Sequence, residues 1–361
     1  MVAVFVSYNM STQVLLYGAT GYTGRLIVEE ALQKGLLLVL AGRNNKTVSE
    51  LATSYNLPYR IGELSNPKDL DSLLQDITVV LHVAGPFAFT AEPMISACLR
   101  NKVHYLDITG EIGVFEYAHS LNQQAIEAGV MLLPGCGFDV VPTDSMASWL
   151  HEQLPDATHF ELAFVSIGGG VSHGTASSMV SKLGEGGAIR KDGKIVHHPL
   201  GKYGKWVDFE GKKHFVMSIP WGDVSTAYYT TGIPNIVTYT GMPPMVYRFL
   251  KAQKLFNWML RTRFIRHYLQ QKIDKRSPGP DAAQRAASAS LVRAEVRNQA
   301  GTVKTGFLKG PDGYTMTARA SVLIAGKVLN GEFKPGFQTP AGCYGNKMVL
   351  EIEGVHRRLI D

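Results

Sequence analysis

The chain has 361 residues, enough for about two domains at roughly 150 residues each. Hydrophobic residues make up 45% and charged residues 18%, which excludes a disordered chain and a collagen. The three cysteines lie far apart without CxxC spacing, which excludes a disulfide framework and a structural zinc site. The net charge of +6 favours an anionic ligand or surface, depending on how the charge is distributed.

The first ten residues are apolar but carry no Lys or Arg, so we interpret them as an extension before a start at Met10, with Met1 as the alternative. The longest apolar runs elsewhere, 35–42 and 77–85, fall short of the ~20 residues that span a bilayer. We therefore expect a cytoplasmic protein that does not cross membranes.

From residue 13 to about residue 149, short strand-like runs alternate with stretches of helical periodicity. This alternation predicts βαβ units around a doubly wound parallel sheet. The predicted strands are Val14–Tyr17, Leu36–Ala41, Tyr59–Gly62, Thr78–Val83, Tyr105–Ile108 and Val130–Leu133. The predicted helices are Arg25–Lys34, Thr47–Tyr55, Pro67–Leu74, Glu92–Asn101 and Val114–Ala128.

After Trp149 the segments are longer and are joined by turns typical of hairpins, which predicts a largely antiparallel sheet. A helical stretch, 243–273, interrupts it, and a last helix is predicted at Tyr314–Leu329. The alternating segments are His159–Ile167, Ile189–His197, Val207–Ile219, Val224–Tyr229, Ile236–Thr240, Ser288–Asn298 and Val303–Leu308, and hairpin turns are predicted at 191–194, 210–212 and 299–302.

We therefore expect an α/β doubly wound domain over 1–148 and an α+β domain of mixed, largely antiparallel sheet over 149–312. Residues 313–361 form a helix and tail that we expect to pack back near the first domain.

A glycine-rich turn, G-x-x-G-x-x-G, joins the first predicted strand to the first helix. Gly18 allows the tight turn, Gly21 allows the backbone to approach a pyrophosphate, and Gly24 allows close packing of helix on strand. The alternative is a purely structural turn. The predicted dinucleotide-binding residues are Gly18, Ala19, Thr20, Gly21, Tyr22, Thr23 and Gly24.

The cofactor is predicted from the end of the second strand, where NAD-binding domains place an acidic residue for the ribose 2′-hydroxyl. This chain has Arg43 in the segment AGRNNK and no carboxylate there. A guanidinium suits a 2′-phosphate, so we expect NADP(H), with a solvated loop charge as the alternative. The small residues Ala84, Gly85 and Pro86 end the fourth strand, where a loop can pass close to the cofactor.

Taken together, these motifs resemble the saccharopine dehydrogenase-like oxidoreductase family. The resemblance rests on GATGYTGRL, AGR, AGPF, YLDITGE (105–111) and PGCGFDVVPTD (134–144), and it continues at 184–187, 220–223, 231–235 and 336–341. It implies a Rossmann domain binding NADP(H), an α+β domain covering the nicotinamide, and commonly a homodimer. Activities in the family range from imine reduction in amino-acid metabolism to trans-acting enoyl reduction. The chain lacks an arginine cluster for a multi-carboxylate substrate and looks more similar to the enoyl reductase-like branch.

Four residues are candidates for the chemistry, because hydride transfer needs an oriented substrate and a proton source. Tyr105 and Asp107 lie on the fifth strand, where Asp107 either orients a donor or caps a turn. Cys136 is expected to line the pocket without acting as a nucleophile. His173 follows a glycine-rich turn from which it could reach the cleft as a proton donor. No histidine has partners at metal-ligand spacing, so no metal is predicted.

The stretch 243–273 contains seven basic residues and no acidic one, among many large apolar side chains. This composition is typical of an interfacial helix, which would contact an anionic membrane, a carrier protein or a lipid-bearing substrate. The alternative is an ordinary packed helix pair with a solvated basic face. Nucleic acid is not expected, since no binding motif accompanies the charge.

The sequence thus predicts an NADPH-dependent oxidoreductase with its active site between two domains, reducing a C=C bond of a hydrophobic substrate. Two alternatives stay open. One is reduction of a C=N or C=O bond in a small polar metabolite, and the other is a non-catalytic NADP(H)-binding protein that associates with lipid.

Overall fold

The computed structural model describes residues 13–181, 186–252, 262–274 and 278–360. The first sheet has seven parallel strands in the order β15-β6-β5-β4-β1-β2-β3. Because the chain order reverses between β1 and β4, the crevice for a ligand opens at the carboxyl ends of these two strands. The strands are β1 (Val14–Tyr17), β2 (Leu38–Gly42), β3 (Tyr59–Ile61), β4 (Val79–His82), β5 (His104–Asp107), β6 (Met131–Leu133) and β15 (Gly336–Phe337).

The helices of this domain bury apolar faces against both sides of the sheet, so strands such as β1 and β4 are buried along their whole length. The helices are α1 (Tyr22–Gln33), α2 (Asn45–Tyr55), α3 (Pro67–Leu73), α4 (Phe87–Asn101), α5 (Ile112–Ser120), α6 (Asn122–Ala128) and α7 (Val141–Gln153). Several of these helices begin earlier than predicted; for example, α1 begins directly after Gly21, and α4 begins directly after Pro86. The single helix predicted at Val114–Ala128 is two helices that meet at Leu121.

The second sheet is mixed and mostly antiparallel, in the order β10-β11-β12-β7-β13-β14-β16, with β8 and β9 forming a hairpin beside β12. The pair of β12 with β7 is parallel. Asp192, Gly193, Glu210 and Gly211 all have positive φ, as the predicted hairpin turns require. The strands are β7 (Ala157–Ile167), β8 (Gly187–Lys191), β9 (Lys194–His198), β10 (Gly204–Phe209), β11 (Lys212–Ser218), β12 (Asn235–Gly241), β13 (Ala289–Asn298), β14 (Val303–Pro311) and β16 (His356–Ile360).

One predicted strand, Val224–Tyr229, is wrong, because these residues lie in helix α9 (Asp223–Thr231). The β-branched and aromatic composition favoured a strand. Packing decides otherwise: Val224 and Ala227 are buried on one helical face, and Gly232 ends the helix in the left-handed conformation.

The remaining described helices are α8 (His173–Ser181), α10 (Pro244–Ala252), α11 (Arg263–Asp274), α12 (Ala282–Ala286), α13 (Gly313–Leu329) and α14 (Pro340–Tyr344). The first four of them lie between strands of the second sheet, whereas α13 and α14 flank β15 of the first sheet. Helix α13 lies against α1 of the first domain, whereas β16 pairs with β14 of the second sheet. Within the basic stretch 243–273, residues 253–261 lie outside the described residues. None of the described helices is long and apolar enough to cross a bilayer.

Candidate active site

The glycine-rich turn places backbone and helix close together, as a dinucleotide site requires. Gly18 has a φ of 95°, and a Cβ there would lie 2.9 Å from the backbone nitrogen of Ala84. A Cβ on Gly24 would lie 2.5 Å from the carbonyl oxygen of Gly18. Helix α1 begins after Gly21 without a side-chain cap, so its first N–H groups are available to a phosphate. The predicted loop therefore has the geometry to hold a pyrophosphate.

The predicted 2′-phosphate residue, Arg43, lies at the carboxyl end of β2 and is exposed. Within the described residues its guanidinium makes no hydrogen bond and no salt bridge. The segment Ala84, Gly85 and Pro86 follows β4 directly beside Gly18. The cofactor-binding residues predicted from three separate segments thus lie along one edge of the sheet.

Tyr105 and Asp107 form a buried hydrogen-bonded pair. The Tyr105 hydroxyl donates to Asp107 Oδ2 at 2.7 Å, and Oδ1 accepts from the backbone N–H groups of Thr109 and Gly135 at 2.9 and 2.8 Å. Burial raises the pKa of Asp107 to about 6, although these hydrogen bonds oppose the shift. Neither side chain has exposed surface, so the pair fixes the loops after β5 and β6 relative to each other.

Glu111, the last residue of the YLDITGE motif, caps the N-terminus of α4. Its carboxylate accepts hydrogen bonds from the backbone N–H groups of Phe87 and Ala88 at 3.1 and 3.2 Å. A carboxylate at a helix N-terminus is also stabilised by the helix dipole. The YLDITGE motif therefore connects the ends of β4, β5 and β6. A capping role could not be read from the sequence, because Glu111 and α4 are more than 20 residues apart.

Cys136 lies in the hydrophobic core and does not line the cleft. Its thiol is fully buried, and burial raises its pKa well above the usual value. The flanking glycines allow the close packing that encloses it: a Cβ on Gly135 would lie 2.7 Å from the Phe115 ring, and one on Gly137 2.8 Å from Thr317. The expectation that Cys136 lines the pocket is therefore wrong.

A large cleft begins at the phosphate loop and extends over the second sheet, with a volume of about 730 Å³. Its wall contains a row of three aromatic side chains, Phe138, Phe164 and Trp221. The ring centroids of Phe138 and Phe164 lie 5.6 Å apart, and the ring centroids of Phe164 and Trp221 lie 5.1 Å apart. Further apolar lining comes from Ile108, Val165, Val171, Met179, Trp206, Phe215 and Met242. The charged side chains among the described lining residues are Asp139, Lys213, Arg285 and Asp312.

His173 is the first residue of α8. Its neighbours Val171 and Thr175 line the cleft, and its own backbone N–H donates to Pro278 at 2.9 Å. The sequence reasoning missed Phe138, Asp139, Trp221 and Tyr314, all of which line the cleft. Phe138 and Asp139 directly follow the GCG segment, and that position was an available signal. Trp221 lies in the segment 220–223 that contributed to the resemblance, whereas Tyr314 offered no such signal.

Comparison with known proteins identifies the first domain. Residues 14–133 match the family model of the saccharopine dehydrogenase NADP-binding domain. The match covers about a third of the chain, and over these residues the chain is similar to that family. The predicted cofactor, NADP(H), is confirmed by this match. The resemblance inferred from the motifs is confirmed as well.

Curated relatives fall into the two groups that the motifs suggested. A saccharopine dehydrogenase-like oxidoreductase of Rattus norvegicus is 27% identical over 204 residues, covering 50% of this chain and 48% of the relative. A trans-acting enoyl reductase of Mycobacterium leprae is 32% identical over 149 residues, covering 39% of this chain and 36% of the relative. The chain thus spans less than half the length of these relatives.

The fold is confirmed by a solved structure that matches both domains. Apo saccharopine dehydrogenase (L-Glu forming) of Saccharomyces cerevisiae superposes with a TM-score of 0.68 at 14% identity, covering 97% of this chain and 100% of that one. The protein therefore combines a Rossmann-type domain, which matches an NADP-binding domain model, with a mixed, mostly antiparallel second sheet.

Proposed function

We propose that the protein is an NADPH-dependent reductase of a C=C bond in a hydrophobic acyl, polyketide-like or isoprenoid substrate. The observation that carries the proposal is the aromatic row of Phe138, Phe164 and Trp221 in a cleft that begins at the phosphate loop. Apolar walls of this kind bury hydrocarbon and exclude water from a reaction. When bound, NADPH supplies the hydride.

The chain's own residues then bind the substrate and provide a proton for the second carbon of the double bond. Three lining residues, Asp139, His214 and Tyr314, carry groups that can exchange a proton. The Tyr314 hydroxyl accepts from the Ser172 backbone N–H at 2.6 Å, so its oxygen is held in place. Tyr105 and Asp107 are buried away from the cleft, and we assign them a positioning role.

The alternative of a small polar substrate with a C=N or C=O bond draws support from Lys213 and Arg285 in the cleft. The cleft also contains the carboxylates of Asp139 and Asp312, which would repel the carboxylates of a polycarboxylate substrate. The second alternative, an NADP(H)-binding protein without turnover, predicts cofactor binding with no oxidation of NADPH by any substrate class.

A panel of α,β-unsaturated thioesters and ketones of about four to about sixteen carbons tests the proposal. The kcat/KM for NADPH oxidation is expected to rise by about fourfold per added CH₂ until the cleft is filled, because each buried CH₂ contributes about 0.8 kcal/mol. Trp221→Ala should flatten this dependence. Tyr59→Ala, at an exposed aromatic on β3 outside the cleft, should retain it. Faster turnover of short imines or keto acids than of any enoyl compound would contradict the proposal.

We also propose that α10 contacts an anionic lipid surface from which such a substrate enters. The segment before α10, Pro243 and Pro244, lines the cleft, and Met245 is 82% exposed. Arg248 and Lys251 add positive charge to the same helix. Flotation with vesicles is expected to depend on their anionic lipid content and to weaken in Met245→Glu. Equal flotation with neutral and anionic vesicles would contradict this contact.

A further inference from the structure

Tyr22 of the phosphate loop is held by three segments of the second half of the chain. Its hydroxyl donates to the carbonyl oxygen of Pro280 at 2.5 Å. The ring of Tyr314 lies edge-on, with centroids 5.0 Å apart, and a Cβ on Gly279 would lie 2.7 Å from the Tyr22 ring. The cofactor loop is therefore covered on one side by residues more than 250 positions away in sequence.

Arg285 completes this contact. One terminal nitrogen of its guanidinium donates to the Tyr22 hydroxyl and to the Pro280 carbonyl oxygen, each at 3.0 Å. Within the described residues, its remaining N–H groups make no hydrogen bond, and no carboxylate pairs with it. Arg285 and Thr23, the second residue of α1, line the same cleft.

The nearby acid does not neutralise this cation by pairing. Asp312 also lines the cleft, but its Oδ1 accepts from the backbone N–H groups of Tyr314 and Thr315 at 2.9 and 3.3 Å, which caps α13. Arg285 thus presents an unpaired charge beside the uncapped N-terminus of α1. Both features attract an anion, and a guanidinium can donate two hydrogen bonds to phosphate oxygens.

We propose that Arg285 binds the pyrophosphate of NADP(H), so that the second domain supplies a ligand to a site formed otherwise by the Rossmann domain. The pyrophosphate would then have two partners of positive charge, the Arg285 guanidinium and the N-terminus of α1. This role is distinct from that of Arg43. Arg43 lies where the 2′-phosphate is expected, and only NADP(H) carries that group. The proposal depends on the cofactor domain and not on the substrate, so a failure of the enoyl reductase hypothesis leaves it testable.

The test is direct measurement of the dissociation constants of NADPH and NADH by calorimetry. Arg285→Met is expected to weaken both cofactors by a similar factor of at least about tenfold, the usual effect of losing a charge-assisted hydrogen bond. Arg285→Lys keeps the charge without the paired donors and should show a smaller loss for both. It also provides the comparison if Arg285→Met fails to fold.

Arg297→Met is the matched control, because Arg297 is an exposed arginine on β13 outside the cleft. It should bind both cofactors as the unmodified protein does. Dissociation constants within twofold of the unmodified protein in folded Arg285→Met and Arg285→Lys would overturn the proposal. A loss confined to NADPH would overturn it too, since it would assign Arg285 to the 2′-phosphate.

Discussion

Arg43 is the residue on which the expected preference for NADPH over NADH depends. It has no hydrogen-bond or salt-bridge partner within the described residues, so its charge is available to the 2′-phosphate at the end of β2. Arg43→Ala is expected to weaken NADPH binding by about tenfold or more while leaving NADH binding within about twofold. Equal losses for the two cofactors, or none, would show that the guanidinium does not read the 2′-phosphate. Arg100→Ala, at an exposed arginine paired with Asp71, is the control.

Asp144 is a fully buried acid whose ionisation couples folding to pH. Its two carboxylate oxygens accept hydrogen bonds from the Thr230 hydroxyl at 2.6 Å and the Ala341 backbone N–H at 2.8 Å, yet burial raises its pKa to about 6. Because the pKa of Asp144 is higher in the folded than in the unfolded chain, its protonated form contributes fully to the stability of the fold below the unfolded-state pKa. That contribution is lost as the pH rises through the folded-state value.

Asp144→Asn removes this pH dependence. The free energy of unfolding of the unmodified protein, relative to the variant, should fall by about 2 kcal/mol between about pH 4.5 and about pH 7.5. Urea denaturation at the two pH values measures this difference. If the unmodified protein and the variant differ in free energy of unfolding by the same amount at both pH values, the prediction is contradicted.

At the same scale, the sequence predicted the residues whose role depends on local spacing. The glycines of the phosphate loop and Arg43 belong to this group, because strand, turn and helix follow one another along the chain. Glu111 and Arg285 contact partners more than 20 and more than 250 residues away, and Asp107 contacts Gly135 in addition to its local partners. Their roles follow from topology, which a single sequence does not specify.

At the scale of elements, α5 of the first domain is tied to the second domain through Glu116. Its carboxylate accepts from Arg190 on β8 at 3.0 Å and from Ser225 and Tyr229 on α9 at 2.6 and 2.8 Å. The Arg190 side chain is only 4% exposed and its guanidinium lies 4.1 Å from the centre of the Tyr228 ring. A buried cation of this kind requires its partner.

Glu116→Gln should lower the free energy of unfolding by about 2 kcal/mol, because it leaves the Arg190 charge buried without a counter-ion. Replacing Arg190 by Met in the same protein should recover part of the loss. Glu353→Gln is the control. Glu353 pairs with Arg319 at 3.1 Å but its side chain is 77% exposed, and such pairs contribute less than about 1 kcal/mol. Equal effects of Glu116→Gln and Glu353→Gln would refute the buried contact.

Element prediction succeeded where turn residues flank the apolar runs and failed at Val224–Tyr229. The strands of the Rossmann domain lie within about two residues of their predicted bounds, since their apolar runs are flanked by glycine and asparagine. The six residues Val224–Tyr229 are too few to separate a strand from a helix, and buried helical packing prevails there over β propensity. Strand β15 has only two residues and carries no sequence signal of its own.

At the scale of the whole molecule, the cleft is built by both halves of the chain. The phosphate loop and the ends of β5 and β6 form one wall, and the aromatic and apolar side chains of the second sheet form the other. The sequence predicted the two folds and the location between them. It could not predict the cleft's lining, because Phe164, Trp221 and Tyr314 approach one another only in the folded chain. The proposed preference for a hydrophobic substrate rests on this lining.

The most direct test of the central claim is deuteride transfer from NADPH that carries deuterium at both C4 positions of the nicotinamide. The protein, a long-chain enoyl thioester and the labelled cofactor would be incubated together, and the product analysed by mass spectrometry. We predict a saturated product carrying one deuterium at the carbon β to the carbonyl. Transfer of the label to an imine or a carbonyl carbon, with no labelled product from any enoyl substrate, would contradict the proposed reaction.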